Sequence, residues 1–328
     1  MKTDRDISKI AEGIKSGNRR ALARGITLIE SYRDEDIRAG QHLLEQVMTA
    51  SGNSVRLGIS GVPGVGKSTF IEAMGLDLVD QGHRVAVLAV DPSSPYSGGS
   101  IMGDKTRMQQ LTQSDSTFIR PSPTGGTLGG VARRTRESMI LCEASGYDVI
   151  IVETVGVGQS EYAVADMVDF FLVMLLPGGG DALQGIKKGI IEVADMLVIN
   201  KAEGEQLELA KLAKKEYHQA LKLISGNGGK PAEIMLCSAL ERTGIREIWQ
   251  KLFDRTQELK QTGEFEQRRN DQLLSWMSRL TEQSLLHRFW GDENVRTLAE
   301  QCRSKLREGT LTPLQASKKL ISEFLRET

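Results

Sequence analysis

Residues 61–69 read GVPGVGKST and directly follow the apolar run VRLGIS. The spacing Gly61-x-x-x-x-Gly66-Lys67-Ser68 is a complete Walker A pattern. Its required context is present, with strand-like residues before it and helix-compatible residues 70–79 after it. The loop Gly61, Val62, Pro63, Gly64, Val65, Gly66, Lys67, Ser68 and Thr69 is expected to wrap the phosphates of a nucleotide. Lys67 would bring a point charge to the β- and γ-phosphates, and Ser68 a hydroxyl to Mg²⁺. The helix that follows adds its N-terminal dipole.

A base-reading element is expected downstream. Residues 194–203 read ADMLVINKAE, an apolar run ending in Asn200-Lys201-Ala202-Glu203. This resembles the N-K-x-D element of guanine-nucleotide proteins, with Glu203 in place of the usual aspartate. Guanine presents two donors, N1–H and the 2-amino group, to one carboxylate, and adenine offers no such pair. Lys201 can lay its stem over the base, and Asn200 can tie neighbouring loops together. Farther on, Ser238-Ala239-Leu240 looks like the S-A-x loop whose backbone N–H meets the guanine O6. The two elements together favour GTP and GDP over adenine nucleotides.

Three carboxylates stand where a metal or its water shell could use them. Asp91 follows RVAVLAV, Asp104 lies in GDKTRM, and Glu153 ends YDVIIVE and opens ETVGVGQSE. Carboxylates at the C-terminal tips of parallel strands lie on the edge where ligands bind. With Ser68 they form the expected Mg²⁺ set, since Mg²⁺ takes few protein groups besides phosphate and water. Gly156 resembles the switch glycine whose N–H bonds the γ-phosphate. Val157 stands where Ras-like proteins carry a water-orienting glutamine, so slow unaided hydrolysis is expected. Residues 177–189, PGGGDALQGIKKG, read as a glycine-rich loop ending in Lys187 and Lys188, and Lys188 is the candidate charge-neutralising cation. Arg107 and Arg133-Arg134 are further candidates for phosphate or partner contacts.

These residues need a scaffold. Between residues 51 and 256 the runs VRLGIS, RVAVLAV, YDVIIVE, DFFLVMLL, ADMLVIN and AEIMLCS recur between amphipathic segments. Unalternated strands of this kind are buried on both faces, which predicts a mostly parallel sheet flanked by helices. Residues 1–50 read as a helical N-terminal extension, with Ile7, Ile10 and Ile14 on one face and Leu22, Ile26 and Ile29 on another. Breaks are expected at Gly17-Asn18 and Asp34-Glu35. Residues 257–328 read as a helical arm. Leu273, Leu274, Met277 and Leu280 are helically spaced, and Thr312-Pro313 opens a last helix with Leu320, Ile321 and Phe324 inward. The fold class is α/β, a P-loop NTPase with helical additions at both ends.

Net charge is −1, so no basic surplus argues for nucleic acid or an anionic membrane surface. No run of about 18 apolar residues occurs, and MKTDRDISKI is charged where a signal peptide needs an apolar stretch. Three widely spaced cysteines form no C-x-x-C pair, which argues against disulfides or structural zinc. A cytoplasmic protein is expected.

GVPGVGKST, DPSSPYSGGSIMGDKTRM, PSPTGGTLGG, VETVGVGQSE, PGGGDALQGIKKGI and NKAE, in this order, resemble the MeaB/ArgK family of GTPases. The resemblance runs from about residue 5 to the end and is densest between residues 58 and 203. It implies a GTP-hydrolysing G-protein chaperone of an adenosylcobalamin-dependent mutase, typically methylmalonyl-CoA mutase, acting in cofactor loading, protection or reactivation. It further implies a homodimer built through the C-terminal arm, and a third switch in the loop 177–189. Two other functions stay open from the residues. One is a P-loop kinase acting on an amino acid or transport protein, and the other a nickel-delivery GTPase, for which the expected His- and Cys-rich ligands are missing.

Overall fold

The computed structural model describes residues 4–90, 108–121, 128–154, 160–178, 188–224 and 232–325. The chain opens with α1 (Asp4–Lys15), α2 (Arg19–Glu30) and α3 (Asp34–Val47), then one 3-10 turn, Met48–Ala50. Ile7, Ile10, Ile14, Leu22, Ile26 and Ile29 are all buried, as their periodicity predicts. Gly17, at φ +75, ends the first turn-out, and the Asn18 side chain accepts from the Arg20 and Ala21 N–H groups at 3.0 Å. The second break is displaced. It falls at residues 31–33, and Asp34 and Glu35 form the first turn of α3. Carboxylates complement the positive end of the helix dipole, so this pair starts a helix instead of interrupting one.

The six apolar runs become β1 (Val55–Gly61), β2 (Val85–Val90), β4 (Val149–Thr154), β5 (Phe170–Leu175), β6 (Met196–Ile199) and β7 (Glu233–Leu236). A strand not expected from sequence, β3 (Thr117–Arg120), completes a seven-stranded sheet of order β3-β2-β4-β1-β5-β6-β7. Every pairing between these strands is parallel. β1 therefore runs through the middle, between β4 and β5, and all seven C-terminal ends share one edge.

Helices cover both faces, as the uninterrupted apolar strands require. α4 (Lys67–Asp80), α5 (Gln109–Gln113) and α10 (Ile245–Thr262) close one side, where Phe70, Met74, Leu111, Ile248 and Trp249 pack with Leu57, Ile59 and Leu172. α1 to α3, α6 (Leu128–Ala144), α7 (Ser160–Ala165), α8 (Lys188–Glu192) and α9 (Gln206–Ile224) close the other. There Ile26, Leu43, Leu141 and Tyr217 share a core with Phe171 and Val173. The N-terminal helices are thus part of the sheet's own packing.

At the N-terminal edge of the sheet, buried Glu143 at the end of α6 gathers four donors. It accepts from Ser54 Oγ at 2.5 Å, the Gly52 N–H at 2.9 Å, and Arg56 Nε and Nη2 at 2.8 and 2.9 Å.

The chain divides into two compact units, Met1–Glu266 and Gln267–Thr328. α11 (Glu264–Gly291), α12 (Glu293–Arg307) and α13 (Pro313–Phe324) supply the second. The expected Thr312-Pro313 start is present as a reciprocal capping box with Gln315. Phe324 meets Phe289 edge to face, with ring centroids 5.3 Å apart. Ile321, expected inward, is exposed. Leu273, Leu274 and Met277 on α11 are also exposed. Among the described residues no helix is long and apolar enough to cross a membrane. All three cysteines are buried free thiols.

Candidate nucleotide site

The phosphate loop leaves β1 at its C-terminal end and becomes α4 at Lys67. Two glycines are dictated by contact. Gly61 lies at φ +153, and a Cβ there would sit 2.6 Å from the Met174 carbonyl oxygen. Gly66 lies at φ +95, and its Cβ would fall 2.7 Å from the Asn200 amide nitrogen. L-residues resist these conformations; the Met174 carbonyl is backbone, and the Asn200 amide is a side chain held by its own hydrogen bonds. Pro63, Gly64 and Thr69 are exposed, Val62, Gly66 and Ser68 half-buried, and Val65 fills the space beneath the loop.

Lys67 is nine-tenths buried, with its Nζ donating to the Gly61 carbonyl at 2.7 Å, so the cation is held across the mouth of the loop. One residue on, Ser68 Oγ donates to Glu153 Oε1 at 3.3 Å. Register explains the meeting: Glu153 is paired with Ile59 on β1 and Ala89 on β2, at the edge where the loop turns. The pair offers two hard oxygen donors, the chemistry that suits Mg²⁺. Asp91, Asp104, Gly156 and Val157 lie outside the described residues, as do Arg107 and Lys187. Lys188 opens α8, and its side chain is also outside them. Among the described residues no cluster of three His, Cys, Asp or Glu could hold a metal ion.

Asn200 ties three chain segments into one piece. Its Nδ2 donates to the Val65 carbonyl at 2.8 Å, and its Oδ1 accepts from the Ala239 N–H at 2.9 Å and from Cys237 Sγ at 3.5 Å. The loop-tying role expected of it is met, and the partners are the phosphate loop and the Ser238–Leu240 segment. Next in sequence, exposed Lys201 sits at φ +60. A non-glycine residue held there is a strained backbone position that the surrounding bonds must maintain. Ala202 donates its N–H to the Cys237 carbonyl at 3.0 Å, fixing the turn that carries Glu203.

Glu203 is half-buried, and its Oε2 is buried without a hydrogen-bond partner. Its charge is felt nearby: burial first, then Glu203, pushes the Cys237 thiol up to about 12. A buried carboxylate oxygen lacking a donor costs free energy unless a ligand supplies one. Ser238 pairs with Thr243 across a backbone bridge, Ala239 is buried, and Leu240 is the most exposed large apolar residue of the loop.

Sequence reading missed Glu161. It is buried in the first turn of α7 and accepts from Ser60 Oγ at 2.5 Å, one residue before the phosphate loop. An acidic residue at a helix start passes as a dipole complement. Its link to β1 depends on a contact between distant segments that no local pattern announces.

A glycine loop on the central strand of a parallel sheet, with a buried lysine at its end and a Ser–Glu oxygen pair beside it, defines a P-loop nucleotide-binding protein. The family model for Methylmalonyl Co-A mutase-associated GTPase MeaB matches residues 22–294. The chain belongs to that family, and it is a guanine-nucleotide-binding GTPase. A Mycobacterium tuberculosis protein named "Probable GTPase Rv1496" is 48% identical over 97% of this chain and 95% of its own. The mouse protein named "Methylmalonic aciduria type A homolog, mitochondrial" is 43% identical over 98% of this chain and 80% of its own. A solved structure titled "LAO/AO transport system kinase" superposes with a TM-score of 0.79 at 37% identity, covering 99% of both chains.

Proposed function

We propose that this chain is a G-protein chaperone that couples GTP hydrolysis to cofactor loading, protection or reactivation of an adenosylcobalamin-dependent mutase, namely methylmalonyl-CoA mutase. The family description supports the partner. The observation that carries the nucleotide reading is the buried, donor-less Oε2 of Glu203, on a turn that Asn200 clamps to the phosphate loop. Guanine brings the two donors that this carboxylate can accept.

In this reading the backbone of residues 61–69 cradles the phosphates and Lys67 stabilises charge that develops on the β–γ bridge as that bond breaks. Ser68 and Glu153 would hold Mg²⁺, with Asp91 and Asp104 as its further carboxylates. The ion, when bound, neutralises β- and γ-phosphate oxygens. Gly156 would report the γ-phosphate. Val157 cannot orient water, so the partner or the Lys187-Lys188 segment must complete the site. The second unit pairs two copies through the exposed apolar row of α11, and the cytoplasm is the assigned compartment.

Glu203→Ala is expected to weaken GDP and GTP binding about tenfold to a hundredfold, the worth of one charge-assisted donor–acceptor pair. Affinity for adenine nucleotides stays unchanged, and Glu203→Asp recovers most of the loss. Calorimetric titration reads this directly, and equal losses for both bases would remove the assignment.

The partner is tested by turnover with and without an adenosylcobalamin-dependent mutase. Saturating methylmalonyl-CoA mutase is expected to raise GTP hydrolysis at least tenfold, within the range that partner-supplied groups achieve. No change would overturn the chaperone reading. The kinase title of the solved relative defines the contrasting outcome: label from γ-labelled GTP appearing in an amino acid or protein instead of in free phosphate.

A further inference from the structure

On the sheet face opposite α4, a small pocket lies between the ends of β2 and β3 and the first half of α6. Its cavity volume is about 20 Å³, room for one or two water-sized groups, and it is lined by Glu30, Leu88, Arg120, Arg134, Thr135 and Ser138. Its charges do not balance. Arg120 is committed to Glu30 through two nitrogens. Glu137 accepts from Gln41 Nε2 at 2.8 Å and pairs with Arg133 Nε at 3.7 Å. Burial raises the Glu137 carboxyl above its usual range, while Arg133, Gln41 and Arg134 pull it down. Arg136 donates Nη2 to the Asp166 carbonyl at 2.6 Å.

Arg134 is left over. It is more than nine-tenths buried, and among the described residues its Nε and Nη1 meet no hydrogen-bond acceptor. One face of the guanidinium is stacked on Tyr32, 3.8 Å from the ring centroid, so the group is oriented and only its edge is open to hydrogen bonding. A buried arginine that keeps its charge without an acceptor is costly.

We propose that this pocket is an anion site, separate from the nucleotide site, in which Arg134 receives a single carboxylate group. The chemistry selects a monoanion. Two carboxylates already stand nearby, Glu30 and Glu137, and each is matched by its own arginine, so among the described residues one positive charge remains to be neutralised. A dianionic phosphate would meet both acidic neighbours with no second unmatched cation among the described residues. Thr135 Oγ1 donates to the Val131 carbonyl at 2.9 Å and keeps lone pairs, and buried Ser138 lies on the same wall. The carboxylate could come from a free small acid or from an acidic side chain of a polypeptide. Either would pin α2, which carries Glu30, against β2, β3 and α6.

The full chain, saturated with GDP and Mg²⁺ to occupy the phosphate loop, is melted in sodium acetate against sodium chloride at equal ionic strength. A saturating rise of about 2–4 °C is expected at tenfold excess over the acetate Kd. The rise is absent in Arg134→Leu. Should that variant fail to fold, Arg134→Gln serves in its place, and electron density on the Arg134 edge in wild-type crystals grown in acetate gives an independent reading. A parallel arm uses an oligoglutamate peptide. An Arg134-dependent rise with acetate supports a free acid, and a rise with the peptide alone supports a polypeptide carboxylate. Equal rises in wild type and variant, no rise with either probe, or a larger Arg134-dependent rise with inorganic phosphate would each overturn the proposal.

Discussion

Lys67→Ala lowers GTP turnover on the order of 10²–10³-fold, the usual effect of removing one preorganised donor from developing negative charge. The expectation rests on where the ammonium is held. It is nine-tenths buried and lies 2.7 Å from the Gly61 carbonyl, at the mouth of a loop whose backbone would surround the phosphates. In so dry a position its charge acts at low effective dielectric, and no solvent must be reorganised when the bond breaks. GDP affinity should fall much less than turnover, because the charge that Lys67 meets is largest in the transition state. Lys67→Arg should rescue poorly, since a planar fork does not occupy the same narrow place. Single-turnover measurement with saturating GTP separates the two parameters. Turnover within threefold of wild type would deny Lys67 this role.

The largest effect on stability is expected at the opposite edge of the sheet. Glu143→Ala should lower the unfolding free energy by about 3–5 kcal/mol, the loss seen when one member of a buried ion pair is removed. The Glu143 side chain is 1% exposed and that of Arg56 only 16%, so the abandoned guanidinium cannot rehydrate freely. Ser54 Oγ and the Gly52 N–H lose their acceptor in the same step. Urea unfolding would show a lower midpoint with an unchanged slope. Glu143→Gln, which keeps an acceptor, should lose less. Nucleotide affinity of the folded fraction should not change, because the phosphate loop sits at the other end of β1. A loss below about 1 kcal/mol would mean that the network is solvated in solution.

Six strands and their parallel arrangement were legible because each carries a short unalternated apolar run, and only a sheet covered on both faces accommodates such runs. β3 was not. Thr117-Phe118-Ile119-Arg120 is a brief edge strand with polar residues at both ends, and its pairing with β2 is a long-range fact. The phosphate loop was legible in full, since its geometry is encoded by spacing alone. Asn200 was legible as a tie between loops, while its partners, Val65 and Ala239, were supplied by the fold. Glu161 and Arg134 show the limit. Glu161 carried no sequence signal of its own, and Arg134 was one of a basic pair read only as a candidate for phosphate or partner contact. What sets each apart is the company it keeps once buried, and that is decided by side chains from other segments. Ile321 failed in the opposite sense: a helical period names a face, and the neighbour that covers it must be found elsewhere.

The placement of β1 at the centre of the sheet carries a cost during synthesis. Its partners are β4, beginning at Val149, and β5, beginning at Phe170, so neither exists when β1 leaves the ribosome. Parallel pairing offers no hairpin shortcut, and closing such long loops slows folding. Until Thr154 has emerged, an apolar strand followed by a glycine-rich turn waits unpaired, and its second edge stays open until β5 follows. Translation pauses or holdase chaperones acting in that interval should raise the yield of this protein more than any change at its mature surface.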